Sequence, residues 1–271
     1  MLGLFKREPL LDEDSIEWLF EAFGWSLNNF GSDAFYQHTM LITPTPKHFP
    51  GSGTSLDEMA DLMMNRVKTY SGLDHWPTQS MDHHQFNGDP EDNASIHQVL
   101  LATTEGSSSN TDLIGASQSH LTLFYEPKQV GNPEVMIANF SHALMVHLAA
   151  LAELPPSCKE ELLPHLTEVM AVAHGFGLML ANTATPYRGG GCGNCRSPAM
   201  ERIGSLSERE VAYALAIFCK LKTIPEKEVG RHLKKSLKGF FKKALVDVGD
   251  HHDALANLRA INTPSIFNKY N

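Results

Sequence analysis

The chain has little of what would give its function away. Only four cysteines occur in 271 residues, too few for a disulfide scaffold, so a reducing compartment and a cytoplasmic location are expected. The start, Met1-Leu2-Gly3-Leu4-Phe5-Lys6-Arg7, has too short an apolar run before its charges to read as a signal peptide. The longest apolar stretch, residues 166–181, contains Glu168 and His174. It falls short of the roughly 18 residues a membrane span needs, so no transmembrane segment is expected. Positive charge is in deficit: the net charge is −9 with histidine neutral, which disfavours non-specific nucleic-acid binding. There is no phosphate-binding glycine loop and no nucleophile elbow. Gly189-Gly190-Gly191 neither follows a strand nor opens a helix.

What is present is an ordinary globular composition, 42% hydrophobic and 20% charged, sufficient for one sizeable core. The periodicity predicts a single α+β domain over residues 1–271, mainly helical with a small sheet of about three strands. Helices are expected over 12–31, 55–70, 133–152, 157–182, 207–222, 225–246 and 250–260. Three of them open on capping boxes: Ser55 with Glu58, Ser157 with Glu160, and Ser207 with Glu210. Strands are expected over 38–43, 97–103 and 120–125. Residues 71–95 read as a long turn-rich loop, and 184–205 as a glycine-rich loop.

The most informative segment is Phe140-Ser141-His142-Ala143-Leu144-Met145-Val146-His147. Zinc peptidases carry H-E-x-x-H on a helix. Spacing i, i+4 aims both imidazoles at one ion, and the glutamate activates its water. Here the spacing is i, i+5, which turns the second ring by roughly 140° from the first. If His142 is the first ligand, the base position is Ala143 and the second ligand Val146. If His147 is the second ligand, the first is Ala143 and the base Leu144. Neither register keeps the glutamate.

In the order of its motifs the chain resembles an uncharacterised group of bacterial zincin-like proteins with an H-E-L-A-H helix. The matching pieces are Leu166-Thr167-Glu168, Gly175-Phe176-Gly177, Ala181-Asn182, Ser205-Leu206-Ser207, and Tyr213-Ala214-Leu215-Ala216. Near the N-terminus, Trp25, Phe30-Gly31 and Pro44-Thr45-Pro46-Lys47-His48-Phe49 also fit. The resemblance covers most of the chain. It implies a zincin-like helix pair in the core and a zinc ion held there. The family's acidic residue before Leu-Thr has its counterpart near Pro164-His165, while Glu168 keeps the acidic position after it.

Three functions stay open. One is a non-catalytic relative of zinc metallopeptidases that binds a protein partner. A second is a rearranged zinc site drawing on His142, His147, His165 and Glu168, with His174 on the same helices. His165 and Glu168 share a helical face. A third is a thiol or zinc-stabilised module using the C-x-x-C pair Cys192 and Cys195. Two histidine-acid clusters, Asp82-His83-His84 and His251-His252-Asp253, have no ligand spacing to raise them. Residues 227–243 carry seven basic side chains among Leu233, Leu237, Phe240 and Phe241. They predict a basic amphipathic helix that packs with a solvated face, or meets an acidic partner or an anionic membrane surface.

Overall fold

A computed structural model describes residues 9–85, 120–154, 156, 158–184 and 204–264. Its first helix, α1 (Glu13–Phe30), begins where the Asp12 carboxylate accepts the Ser15 amide at 2.8 Å. Glu13 and Asp14 add negative charge to its first turn, where the helix dipole favours it. Ile16, Leu19, Phe20, Phe23, Leu27 and Phe30 line its buried face. Gly31, at φ +100°, ends it and starts the short α2 (Ser32–Gln37). Helix α3 (Leu56–Ser71) is capped by Ser55, whose hydroxyl accepts the Glu58 amide. The Glu58 carboxylate reaches one residue further back than a capping box requires, to the Thr54 amide.

The sheet has two described strands, β1 (Thr78–Asp82) and β2 (Leu121–Tyr125). They are parallel, with Thr78 opposite Leu121 and Asp82 opposite Tyr125. Strand β1 falls inside the predicted loop, and the expected strand at 97–103 lies outside the described residues. Residues 38–43 are not a strand but irregular chain. Their backbone leans on a helix rather than on a neighbouring strand: the Ile42 amide donates to the Gly175 carbonyl at 3.0 Å.

The second half is helical: α4 (Pro133–Ala149), α5 (Leu163–Ala171), α6 (Gly177–Thr183), α7 (Glu208–Lys222), α8 (Glu226–Gly230), α9 (Lys235–Asp250) and α10 (His252–Ala260). Helix α7 opens on the complete Ser207–Glu210 capping box. It is apolar on every side, with Val211 to Cys219 all buried, so it must sit inside a ring of other helices. α1, α6, α9 and α10 supply that ring. The apolar run 166–181 is the second central element. No described helix is long and apolar enough to cross a membrane.

Two predicted helices are broken. The one expected over 157–182 starts at Leu163 after a 3₁₀ turn at Glu160–Leu162, and a π turn at Val172–Phe176 divides it. Its expected cap, Ser157, lies outside the described residues. The helix expected over 225–246 stops after α8 and restarts at Lys235. The buried Asn182 side chain explains the break. It donates to the His232 carbonyl at 2.8 Å and accepts the Lys234 amide at 3.0 Å, taking backbone groups a continuous helix would have paired internally.

Candidate functional site

The two helices that carry the expected ligands, α4 and α5, pack against each other, and their polar residues are bound into the packing. The Glu168 side chain is fully buried. Its Oε1 accepts the Ser205 amide and its Oε2 the Leu206 amide, both at 2.9 Å. Those amides belong to the turn that leads into α7, so the carboxylate anchors the start of that helix, where its dipole favours negative charge. His142 Nε2 lies 2.9 Å from the Thr167 hydroxyl. That hydroxyl is also 3.1 and 3.0 Å from the Leu163 and Pro164 carbonyls, which can only accept. With its one proton directed there, Thr167 accepts from His142, which assigns the proton to Nε2 and leaves no lone pair on that nitrogen for an ion.

The remaining predicted ligands point elsewhere. His165 meets the Trp18 ring edge-on at 6.3 Å, and its buried Nδ1 has no hydrogen-bond partner among the described residues. His147 is half-buried one turn and a half along α4, and burial holds its imidazole below the usual range. Among the described residues, no three His, Cys, Asp or Glu side chains gather where they could hold a metal ion. The zinc that the resemblance implies does not fit these side chains as they stand: among the described residues no three candidate ligands converge, His142 Nε2 donates to Thr167, and each oxygen of Glu168 accepts a backbone amide. Cys192 and Cys195 lie outside the described residues. Of the other thiols, Cys158 is raised by burial, and Cys219, buried in α7, is pushed up to about 12. Neither is poised as a thiolate. In the outer histidine clusters, His84 Nε2 approaches the Glu126 carboxylate at 3.4 Å and His251 packs on the Phe20 ring.

A different place has the shape of a binding site. In the π turn, Gly175 sits at φ +95°, and a Cβ there would stand 2.1 Å from the Met40 carbonyl oxygen. The turn carries His174 at the wall of a cavity of about 560 Å³ between the end of α1, α2, residues 38–40 and the end of α3. His174 Nδ1 is 2.9 Å from the Met170 carbonyl, so Nδ1 bears the proton and Nε2 keeps its lone pair. Burial depresses its basicity further. Ser71, on the same wall, is buried, and its hydroxyl has no partner among the described residues. The sequence carried one sign of this cavity, the glycine pair at 175 and 177, which the helical periodicity absorbed.

Three imidazoles shielded from water, His48 buried and His147 and His174 half-buried, make the fold sensitive to acid. His48, His147 and His174 are all lowered, in each case chiefly by burial. His48 Nδ1 also accepts the Thr43 amide, so it too is held neutral. The unfolded chain protonates histidine near a pKa of about 6.5. Below that pH it binds more protons than the folded chain, so stability is full above about 6.5 and falls as the pH drops toward the depressed folded values. Urea midpoints at pH 7.5 and 5.5 are expected to differ, with the lower midpoint at pH 5.5. Equal midpoints would contradict the buried, neutral assignment.

No family model matches the chain, and no curated protein and no solved structure is detectably similar to it.

Proposed function

We propose that this chain is a binding protein without peptidase chemistry. In this reading it is a degenerate relative of zinc metallopeptidases that keeps the helix pair as a structural joint and acts on a protein partner. The observation that carries the reading is Glu168. A carboxylate enclosed by two backbone amides is a capping group, and displacing it toward a metal would strand both donors in the core. Ala143 or Leu144 at the position of the general base supports the same conclusion.

The partner surface this reading favours is the outer side of α8 and α9. Lys227, Arg231, Lys234, Lys235, Lys238, Lys242 and Lys243 are all exposed. None of them pairs with a carboxylate among the described residues. Unneutralised cations on a chain of net charge −9 suit an acidic protein segment. They suit an anionic membrane less well. The apolar residues of α9, Leu237, Phe241, Ala244 and Val248, are buried in the core, and Val246 is the one large apolar side chain well exposed on that helix. A reducing, cytoplasmic setting accords with the four sparse cysteines.

Two assays test the reading. Protein purified without chelator should hydrolyse no peptide or amide substrate in a chelator-sensitive way, and such hydrolysis would overturn it. A polyglutamate peptide should bind at low salt and weaken as salt rises. The triple variant Lys238→Glu, Lys242→Glu, Lys243→Glu should lose that binding, and unchanged binding would remove the proposed surface. One observation favours a second reading, a rearranged metal site: the unpartnered Nδ1 of His165. Zinc retained by the purified chain and lost in a His165→Ala variant would establish it. A thiol or zinc module at Cys192 and Cys195 is tested by a Cys192→Ser, Cys195→Ser variant, whose melting would then be lower.

A further inference from the structure

We propose that a groove on the outer side of α9 takes an extended segment of a partner protein that presents an acidic side chain, then a large apolar one, then a basic one. This rests on the partner-binding reading above and adds the chemistry that the segment must carry. The groove, of about 570 Å³, lies between Pro9 and Leu10 and one face of α9. That face consists of Gly239, Lys242, Lys243, Val246, Asp247 and Asp250, at steps of three and four residues that place them side by side on the helix. Its chemistry changes along the axis. Lys242 and Lys243 are exposed at one end, Val246 is 39% exposed in the middle, and Asp247 and Asp250 stand at the other end. None of these four charges forms an ion pair with a described side chain. An acidic segment is drawn to the lysines and repelled by the aspartates, so it must change sign as it crosses the groove. Val246, with Pro9 of the facing wall, offers apolar surface between the two ends. On a rise of about 1.5 Å per residue, the lysine pair, Val246 and Asp250 follow at intervals of roughly 5–6 Å. Alternate side chains of an extended chain share one face about 6.6 Å apart, close to that interval.

Gly239 is an independent observation. It sits inside a helix, where glycine costs stability, and its φ is not positive. A Cβ there would meet nothing within 4 Å, so no packing requires its absence either. What the missing side chain leaves is open depth at the lysine end of the groove, where a bound segment can lie close to the helix backbone.

Four peptides with blocked ends test the proposal against the full chain at low salt. The first reads glutamate, alanine, leucine, alanine, lysine. Replacing its leucine by alanine should weaken binding about tenfold. Replacing its lysine by glutamate should weaken it about threefold. Polyglutamate is the fourth. Gly239→Gln fills the groove without adding charge. It should weaken the first peptide about tenfold, leave polyglutamate binding unchanged, and leave the melting temperature equal or higher. If polyglutamate binds while the three short peptides bind equally, or if Gly239→Gln binds the first peptide as the parent does, the groove is overturned and the basic-face reading stands. If no acidic peptide binds, both fall. Self-association of the chain, or adsorption to anionic lipid vesicles, that Gly239→Gln removes would give the groove another occupant and overturn the proposal.

Discussion

Gly175→Ala is expected to cost more than about 3 kcal/mol, enough to leave a chain of ordinary stability largely unfolded. Two effects combine. The residue sits at φ +95°, where an L side chain is strained, and its new Cβ would stand 2.1 Å from the Met40 carbonyl oxygen. That oxygen is backbone and cannot swing aside like a side chain. Relief would require residues 40–42 to move off the helix, breaking the Ile42-to-Gly175 hydrogen bond and opening the cavity wall. Gly239→Ala is the internal control. It lies in α9 with open space around it, and alanine there should stabilise by about 0.5–1 kcal/mol. Urea unfolding of both variants checks the pair. A Gly175→Ala midpoint equal to that of the parent would contradict the described π turn.

Glu168→Gln should cost roughly 2–4 kcal/mol. The substitution preserves shape and removes charge. One of the two backbone amides, at Ser205 or Leu206, would then face an NH₂ group instead of an oxygen. The start of α7 would lose both a hydrogen bond and the negative charge at the positive end of its dipole. Because α7 is the most enclosed helix, loosening its start should lower the cooperative transition of the whole chain rather than fray one end. Thermal melting with chelator present throughout isolates this structural role. A Glu168→Gln variant as stable as the parent would mean that the carboxylate does not anchor the turn.

The helices whose boundaries could be read in the sequence are those with local chemistry. Asp12, Ser55 and Ser207 each stand before an apolar 3.6-residue pattern, and each caps a helix. The failures have non-local causes. Residues 38–43 look like a strand because Met40-Leu41-Ile42 precede Pro44 and Pro46, yet the Ile42 amide finds its partner in the carbonyl of Gly175, more than a hundred residues on. The break before α9 comes from the Asn182 side chain reaching across from α6, which no window of local sequence contains. Strand β1 was hidden because Thr78 to Asp82 are half-buried and polar, and only pairing with β2 makes them a strand.

The candidate site was legible in its residues and not in their roles. The i, i+5 histidine spacing and the missing glutamate could be seen directly, and Glu168 stood out as the retained acid. Its service to α7 could not, since Ser205 and Leu206 are 37 and 38 residues away. The cavity was missed because its polar groups come from four separate segments, and because a π turn keeps the hydrophobic pattern of the helix it interrupts.

We propose that the α4–α5 pair serves as a structural joint rather than a metal site. That claim is tested most directly by melting the parent chain and Glu168→Gln, each with excess zinc and with excess chelator. The account predicts that the parent melts at one temperature in both conditions, and that Glu168→Gln is lower by the same interval in each. A parent chain raised by zinc, with that rise lost in Glu168→Gln, would contradict it, since only a ligand bound to the folded state stabilises by mass action.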